Sequence, residues 1–302
     1  MFLLEKAKQA LRILRFHRQN RKIRRLFRKK QGYEGNFEHP RDYWEKVQFR
    51  KLYGNHGFYG RLADKVLVRE YVKERVGEEI LVPLLGVYER LDEGILDRLP
   101  RSFVLKVSNA SNWNEVVFDK SILDLGRTVR FFNRKVREKY SGKSGEVHYD
   151  YCMPRILAEE LLLEEDSLPW STNLFCYNNP GGFDYSICVH SPDELHKGHY
   201  DRSWNFLEGN LTPEMAERHA PPKVFPKMAE IARELSRGID FVRVDLYGSR
   251  GRVWFGELTF TPGAGFGRIA NPLRRKMRDE MWELDRENPL LYRNPEEVRA
   301  GW

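Results

Sequence analysis

The sequence of 302 residues lacks the long apolar segments and the paired cysteines that mark several classes of protein. No run of 18 apolar residues occurs, so no transmembrane helix is expected. Its three cysteines, Cys152, Cys176 and Cys188, show no CxxC spacing and no paired histidines nearby, which argues against a zinc site and a disulfide framework. With 41% hydrophobic and 32% charged residues, the chain is predicted to fold around a buried core in a reducing cytosol.

The basic charge of the protein lies at one end of the chain. Residues 1–31 hold twelve lysines and arginines against the single acid Glu5, a net charge of +11, whereas the remainder has a net charge of −3. This basic arm contains no Gly or Pro and is rich in Leu, Ala, Arg and Lys, which predicts a helix. Charges at Lys6, Lys8 and Arg12 interrupt the apolar region that a signal peptide needs, so secretion is not expected.

One face of the basic arm is apolar over its first four turns. It consists of Leu3, Leu4, Ala7, Ala10, Leu11 and Leu14. Arg18 and Arg21 then stand where the next apolar residues should be. A short apolar face in a basic coat suits an anionic membrane surface, and the charge alone suits nucleic-acid phosphates. A helix that is solvated, or packed on the body or on a second copy, explains the pattern equally well.

Beyond the arm, helical and strand-like patterns follow one another in mixed order. Helices are predicted within residues 36–76, 128–140 and 221–239, strands within 79–89, 102–108, 113–119, 173–179 and 184–190, a loop at 141–146, and a hairpin within 240–265. This mixed order favours an α+β fold over regular βαβ alternation.

The most informative pattern is Arg243-x-Asp245 followed by Glu257-x-Thr259. Alternate strand residues share a face, and a turn at residues 249–251 places Arg243 opposite Glu257 with all four polar side chains on one face. Two adjacent carboxylates favour a cation between them, and Mg²⁺ binds one or two carboxylates plus phosphate oxygens. Asp245 and Glu257 are therefore candidate ligands, with Thr259 as a weaker third. The alternative is an ordinary hairpin with its polar face in water.

Two further features are compatible with an anionic ligand. Gly263, Gly265 and Gly267 follow the hairpin, and such a loop lets backbone N–H groups approach an anion. Lys106 lies within the apolar strand FVLKV, where a lysine either meets an anionic partner or extends outward into solvent. An inward-facing Lys106 suits a nucleotide phosphate.

Together these motifs resemble the ATP-grasp superfamily, and more closely the TupA-like ATP-grasp proteins of bacterial surface-polysaccharide loci. The matching segments occur in the family's order over roughly residues 40–285. They are DKVLVREYV (64–72), LVPLLGVY (81–88), LPRSFVLKVSNASNWN (99–114), PRILAEELL (154–162), LFCYN (174–178), HYDRSWN (199–205) and FVRVDLYGSRGRVWFGELTFTPGAGFG (241–267).

The resemblance implies that two α+β subdomains hold ATP between them, with Mg²⁺ bridging the phosphates. It assigns ATP contacts to Lys106, to Ser111, Trp113 and Asn114 of the phosphate flap, to the adenine hinge Glu159, Glu160, Leu161 and Leu162, and to Glu164 or Glu165 at the ribose. It assigns Mg²⁺ to Asp245, Glu257 and Thr259, and the γ-phosphate and acyl phosphate to Arg243. It implies substrate or phosphate contacts at Lys65, Arg69, Gly263 and Gly265, and an acceptor-side or packing role at Asp201 and Arg202.

Two segments depart from the family pattern. The flap, residues 107–114, lacks both of the family's glycines, so its backbone is less able to approach the phosphates. Asn109 and Asn112 still tolerate turn conformations. Residues 171–173 read Ser-Thr-Asn where the family commonly has a lysine near the nucleotide.

The family chemistry implied is carboxylate–amine ligation, in which ATP phosphorylates a carboxylate and an amine displaces phosphate to form an amide. A hexuronic acid or an amino acid is the implied substrate, lipid-linked during capsule, O-antigen or related polymer assembly. The expected location is cytoplasmic, with the basic arm on the anionic inner face of the membrane. The alternatives are a nucleotide-binding scaffold without turnover, an ATP-dependent phosphotransferase, and a nucleic-acid binder, which the acidic body disfavours.

The predicted organisation has four parts. They are the basic helical arm (1–35), a helical lead-in region (36–100), an ATP-grasp N-subdomain carrying the lysine strand, flap and hinge (101–170), and a C-subdomain carrying the metal and phosphate site (171–302).

Overall fold

The computed structural model of the protein describes residues 2–193, 195–207, 219–269 and 271–300. The helices in these ranges are α1 (Phe2–Gln31), α2 (Tyr43–Tyr53), α3 (His56–Ala63), α4 (Val68–Val76), α5 (Glu93–Arg98), α6 (Leu125–Lys135), α7 (Ser141–Ser144), α8 (Phe225–Ser236), α9 (Pro272–Met281) and α10 (Pro295–Ala300). The strands are β1 (Leu84–Tyr88), β2 (Phe103–Val107), β3 (Asn114–Val117), β4 (Ile156–Glu159), β5 (Ser171–Asn179), β6 (Gly182–His190), β7 (Lys197–Tyr200), β8 (Phe241–Ser249) and β9 (Arg252–Thr259). The mixed order of helices and antiparallel strands confirms the predicted α+β class.

Two antiparallel sheets form the body. The first has the strand order β1-β4-β2-β3, and one of its faces packs on a small core that includes Phe103, Leu105, Phe132 and Ile156. The second has the order β7-β6-β5-β8-β9, and α8 packs on one of its faces through Met228 and neighbouring residues. The opposite face of the second sheet is left to line a cleft. The proposed division into four parts stays a prediction.

The predicted N-terminal helix is confirmed as α1, but its second half belongs to the body. Phe16, Ile23 and Phe27 are buried in the large core, and the Phe27 ring lies edge-on to Phe37 with 5.1 Å between centroids. The apolar face predicted to end at Leu14 does end there, with Arg18 and Arg21 exposed, but a second apolar line, which the sequence reading did not identify, begins at Phe16 on the opposite face of the helix. Of the alternatives for the arm, packing against the body holds for this half.

The first half of α1 presents its apolar residues differently. The side chains of Leu4, Leu11 and Leu14 are exposed, at 60%, 53% and 65%. The side chain of Leu3 is outside the described part of the structure. Throughout the part of the chain that is described, no helix combines the length and the apolar character needed to cross a bilayer.

The β8–β9 hairpin differs in register from the sequence expectation. Its turn contains only two residues, Arg250 and Gly251, both at positive φ (52° and 72°). A bulge then leaves Gly256 unpaired, so Asp245 lies opposite Glu257, where the sequence had placed Arg243. With the two-residue turn and no bulge, Asp245 would lie opposite Gly256, and Glu257 would point to the other face of the sheet. Because opposite residues of an antiparallel pair share a face, the extra residue brings both carboxylates to the same side. The predicted common face was right although the predicted pairs were wrong.

A buried cation fixes the two ends of this hairpin. Arg50 on α2 is ion-paired with Asp240 just before β8. Its Nη1 also donates to the carbonyl oxygens of Phe241, at 2.7 Å, and Phe260, at 3.1 Å, which lie at the start of β8 and just beyond β9. Tyr292 completes the network by donating to Asp240 over 2.7 Å. The helix α2 thereby holds the strands that carry the candidate metal ligands.

Candidate active site

A cleft of about 870 Å³ lies between the two sheets. Its walls come from β2, β3 and the segment after β4 on one side, and from the open face of the five-stranded sheet on the other. The volume is in the range of pockets that enclose a nucleotide-sized ligand. Fourteen of the predicted site residues line this cleft: Lys65, Lys106, Ser111, Trp113, Asn114, Glu159, Glu160, Leu161, Leu162, Arg243, Asp245, Glu257, Thr259 and Gly263.

Four polar side chains of β8 and β9 form a connected group in the cleft. The Nε atom of Arg243 donates to Asp245 Oδ1 over 2.7 Å, and its Nη2 atom donates to Glu257 Oε1 over 3.3 Å. The Thr259 hydroxyl donates to the same Glu257 oxygen over 2.9 Å. The hairpin therefore brings together all four residues that the sequence singled out.

Burial and neighbouring charges shift the pKa values of the two carboxyl groups in opposite directions. Burial raises the pKa of Asp245 to about 7, because desolvation of the carboxylate outweighs the attraction of Arg243. Burial opposes ionisation of Glu257 as well, but Lys65 and Arg243 more than compensate and its pKa lies below the ordinary value. A nearby cation would favour the charged form of both groups.

The donor atoms of this group suit Mg²⁺. Two carboxylates and a hydroxyl are hard oxygen ligands, and Mg²⁺ commonly takes one or two carboxylates and completes its shell with water and phosphate oxygens. Among the described residues no set of three or more His, Cys, Asp or Glu side chains is arranged to hold a metal. The pair Asp245 and Glu257 therefore fits an ion that binds together with a phosphate ligand, with Thr259 beside it.

Lys106 faces the cleft. Phe103, Leu105 and Val107 alternate with it and are buried on the other face of β2, in the small core. The Lys106 Nζ atom lies 2.6 Å from Glu159 Oε2. Burial opposes the charged amine, but Glu159 and other nearby groups outweigh it and hold the pKa of Lys106 above its ordinary value. A permanent positive charge thus lies on the wall opposite Asp245 and Glu257.

Lys65 links the flap to the acid group. Its Nζ atom donates to the Ala110 carbonyl over 2.6 Å and lies 3.8 Å from Glu257 Oε2. The flap itself turns at Asn112, whose φ of 61° is a left-handed conformation that Asn tolerates. Asn112 therefore supplies the conformation that a glycine would have provided. The Trp113 ring is fixed by edge-on packing against Tyr140, with 5.4 Å between centroids.

Side chains of α2 hold the glycine loop after β9 by hydrogen bonds to its carbonyl oxygens. Gly263, Ala264 and Gly265 are consecutive left-handed residues. Lys51 Nζ donates to the Ala264 carbonyl over 2.9 Å, and Gln48 Nε2 donates to the Gly265 carbonyl over 2.8 Å. Gly263 lines the cleft, whereas Gly265 packs against α2, where a Cβ atom would meet Gln48 at 2.1 Å.

Six predicted residues lie outside the cleft lining, including both ribose candidates, Glu164 and Glu165. Gly265 supports the loop from its rear, and Arg69 lies behind Glu159, 3.5 Å from Oε1. Glu165 is exposed in the turn between Glu164 and Ser167. Asp201 caps its own turn by accepting from the backbone N–H groups of residues 203 and 205, and Arg202 lies at the surface, 3.6 Å from Asp184.

The structure adds cleft residues that the sequence reading missed. Lys143 and Glu146 enter from the segment 141–146, which was predicted as a loop and begins with the single turn α7. Glu146 accepts a hydrogen bond from Thr261 over 2.6 Å, which ties this segment to the glycine loop. The signal was present as a Gly/Ser-rich stretch with a lysine, SGKSGE. Across the second sheet, Asn173 continues the row of Asp245 and Glu257.

Comparisons with solved structures place known ligases among the similar folds. The D-alanine–D-alanine ligase of Helicobacter pylori is 14% identical, with a TM-score of 0.44, over 74% of this chain and 61% of that one. The D-alanine–D-alanine ligase of Bacillus anthracis complexed with ATP is 13% identical, with a TM-score of 0.40, over 71% and 60%. The N5-carboxyaminoimidazole ribonucleotide synthetase of Thermus thermophilus is 11% identical, with a TM-score of 0.36, over 66% and 45%. The chain thus spans less than two thirds of the length of each.

The comparison with protein families gives a more extensive match. A comparison with curated protein sequences found no match. The profile described as TupA-like ATPgrasp matches residues 45–277, which is well over half of the chain and includes both sheets and the cleft between them. The chain therefore belongs to the TupA-like ATP-grasp family.

Proposed function

We propose that the protein is an Mg²⁺- and ATP-dependent carboxylate–amine ligase. The observation that carries the proposal is the direct opposition of Asp245 and Glu257 across β8 and β9, joined by Arg243 and faced by Lys106 across the cleft. Two oxygen ligands for a cation, with further cations arranged around them, suit a bound polyphosphate. Membership of the ATP-grasp family supports ATP as that polyphosphate.

The reaction has two steps that balance without a side-chain nucleophile. A carboxylate oxygen of the substrate attacks the γ-phosphorus of ATP, and ADP leaves, which gives an acyl phosphate. An amine nitrogen then attacks the acyl carbon, inorganic phosphate leaves, and the amine loses a proton as the amide forms. The cleft residues need only position the reactants and stabilise charge.

The residues have distinct parts in this scheme. Mg²⁺ held by Asp245 and Glu257 would neutralise phosphoryl oxygens. Lys106 binds the phosphate chain from the opposite wall, and Lys65 anchors the flap by donating to the Ala110 carbonyl. Arg243 is held in the cleft by Asp245 and Glu257, where its positive charge stabilises the transferred phosphoryl group.

The proposal is tested by trapping the acyl phosphate. Wild-type protein is incubated with Mg-ATP, hydroxylamine and a panel of hexuronic acids and amino acids, and hydroxamate and ADP are measured together. Equal amounts of both products are expected with a true substrate, and neither with Glu257→Gln. ADP with a phosphorylated hydroxyl and no hydroxamate would instead identify a phosphotransferase, and ATP binding without any product from the panel would favour a scaffold.

A substrate from surface-polysaccharide assembly is part of the same proposal. Hexuronic acids and amino acids carry the carboxylate that the chemistry needs, and the resemblance to TupA-like proteins of polysaccharide loci supports this class. The panel therefore contains both free acids and their glycosylated forms. Turnover confined to simple free amino acids would contradict a role in polymer assembly.

We also propose that the first half of α1 rests on an anionic membrane surface. Leu4, Leu11 and Leu14 are exposed, and Arg18 and Arg21 follow on the same side of the helix and are exposed too. This combination of apolar and basic side chains is typical of interfacial helices.

The membrane proposal needs point substitutions, because deleting residues 1–31 would also remove Phe16, Ile23 and Phe27 from the core. Flotation with vesicles containing phosphatidylglycerol is expected for wild type and not for Leu11→Gln/Leu14→Gln. Ile122→Gln, at an exposed apolar residue elsewhere, is the matched control and should float normally. Flotation that does not depend on anionic lipid would contradict the proposal.

A further inference from the structure

Two arginines beside the cleft are buried without a counter-ion among the described residues. Arg274 and Arg278 lie one turn apart on α9, and each is only 6% exposed. The Nε and Nη1 atoms of Arg274 and the Nε atom of Arg278 have no hydrogen-bond partner. Within the described ranges no carboxylate forms an ion pair with either guanidinium.

The arginine pair lies against residues of the cleft floor. The Arg278 guanidinium carbon is 3.7 Å from the centroid of the Phe175 ring on β5. Both arginines also act electrostatically on Cys188 of β6 and His199 of β7. Phe175, Cys188 and His199 all line the cleft. The pair therefore lies directly beside the part of the cleft lining that Phe175, Cys188 and His199 form, where α9 approaches the second sheet.

Two adjacent buried cations need an anion. A buried charge is retained only where a partner offsets its desolvation, and like charges one turn apart add repulsion. Arg278 repels Arg274, and among the described residues only the Cys188 thiol favours the charge of Arg274. The guanidinium group matches phosphoryl and carboxylate oxygens in a planar, bidentate geometry.

The arginine pair lies near residues of β5, β6 and β7, whereas the metal pair lies on β8 and β9. Glu257, Asp245, Asn173, Cys188 and His199 form one continuous row across β9, β8, β5, β6 and β7. With about 4.8 Å between adjacent strands, His199 lies about 14 Å from Asp245 along the sheet. An ATP triphosphate held at β8 and β9 therefore leaves the β6–β7 end of the cleft for a second ligand.

We propose that Arg274 and Arg278 bind a phosphoryl group of the ligase substrate, so that the substrate carboxylate is carried on a phosphate or diphosphate ester. The inference rests on the proposed function for the identity of that substrate. Two positive charges on the pair, with Lys197 also lining this end of the cleft, match the double charge of a phosphoryl group better than the single charge of a carboxylate. Nucleotide-linked and lipid-linked sugars both carry such a group.

The test measures anion binding with the nucleotide site already filled. Wild-type protein is saturated with Mg²⁺ and a non-hydrolysable ATP analogue, and pyrophosphate is titrated by calorimetry. Binding is expected for wild type, with a Kd raised at least about tenfold in Arg274→Gln and in Arg278→Gln. Binding of the ATP analogue should not change in either variant. Arg275→Gln, an exposed neighbour on the same helix, is the control and should behave as wild type.

Thermal unfolding separates binding from a structural role. Neutralising one arginine removes the repulsion, so Arg274→Gln is expected to unfold at the same or a higher temperature than wild type without ligand. Pyrophosphate should raise the Tm of wild type and not that of the variant. Arg274→Lys and Arg278→Lys, which keep the charge but lose the planar fork, should retain weaker binding.

The outcomes distinguish this inference from the proposed function. Failure of wild type to bind pyrophosphate, or equal binding by the glutamine variants, would overturn the anion site. Arginine-dependent pyrophosphate binding by a protein that does not bind the ATP analogue would overturn the ligase proposal and leave the anion site standing. Uridine diphosphate and geranyl diphosphate, titrated in the same way, separate a nucleotide carrier from a lipid carrier.

Discussion

Asp245 and Glu257 face each other across β8 and β9, yet their surroundings shift their acidities in opposite directions. Burial raises the pKa of Asp245 to about 7, whereas Lys65 and Arg243 overcome burial and lower the pKa of Glu257. Without a bound metal ion the two carboxyl groups together therefore carry less than two full negative charges near neutral pH. A divalent ion needs both carboxylates ionised, so its binding is linked to the proton on Asp245.

This linkage predicts proton release when Mg-ATP binds. Below pH 7 the Asp245 carboxyl is mostly protonated, so binding releases up to one proton, and the apparent affinity falls as pH decreases from 7 to 5.5. Above pH 8 the group is already ionised and release vanishes. Calorimetry in two buffers of different ionisation enthalpy measures the number of protons. Asp245→Asn serves as the control, and release that persists in this variant would assign the proton to another group.

The bulge at Gly256 is predicted to be essential for the metal pair. A Cβ atom there would lie 2.9 Å from the Tyr247 ring and 3.0 Å from the Asp245 carbonyl oxygen. Gly256→Ala should therefore displace β9 against β8 and lower the free energy of unfolding by about 1–3 kcal/mol. It should also weaken Mg²⁺-dependent ATP binding about tenfold or more.

Gly142→Ala is the matched control, because a Cβ atom there would meet no neighbouring group within 4 Å and its backbone is not left-handed. Urea unfolding and calorimetry on the two variants provide the comparison. Normal ATP affinity in Gly256→Ala would show that the carboxylates do not depend on the bulge.

The two halves of α1 are predicted to differ in their effect on stability. Phe27 is fully buried, so Phe27→Ala should lower the free energy of unfolding by about 3–5 kcal/mol. Leu14 is 65% exposed, so Leu14→Ala should change it by less than about 0.5 kcal/mol. Equilibrium unfolding in urea distinguishes these values. Equal, small effects would mean that the whole arm is detached from the body in solution.

The Arg50–Asp240 pair is predicted to stabilise the base of the hairpin. Arg50→Met leaves the Asp240 carboxylate buried with only neutral donors, namely Tyr292, Trp282 and the backbone N–H groups of residues 241 and 285, among the described residues. This should cost about 3–5 kcal/mol of folding free energy. Arg61→Met, at an exposed arginine, should change stability by less than about 0.5 kcal/mol. A Tm of Arg50→Met equal to that of wild type would contradict this account of the network.

Local patterns predicted much of the fold and part of the site. Alternation along β2 and β8 identified Lys106, Arg243 and Asp245 as polar residues in apolar strands, and the short loop between β8 and β9 indicated a hairpin. The predicted register was wrong because the chain bulges at Gly256, where Tyr247 lies too close for a Cβ atom, and the hairpin sequence alone does not reveal this bulge.

Other features depend on contacts between segments distant in sequence. Phe16 begins a new apolar line of α1 that is recognisable only once α2 and α10 pack beside it. Glu146 enters the cleft because Thr261, more than a hundred residues later, donates a hydrogen bond to it. The burial of Arg274 and Arg278 is visible only in the tertiary structure.

The central claim is that Asp245 and Glu257 hold Mg²⁺ for a bound ATP. The most direct test is calorimetric titration of ATP into wild type and into Asp245→Asn/Glu257→Gln, each with Mg²⁺ and with EDTA. We predict binding by wild type that requires Mg²⁺ and is lost in the double variant, whose fold is checked by circular dichroism. Equal ATP affinity in the presence of EDTA, or unchanged Mg²⁺-dependent binding by a folded double variant, would contradict the assignment.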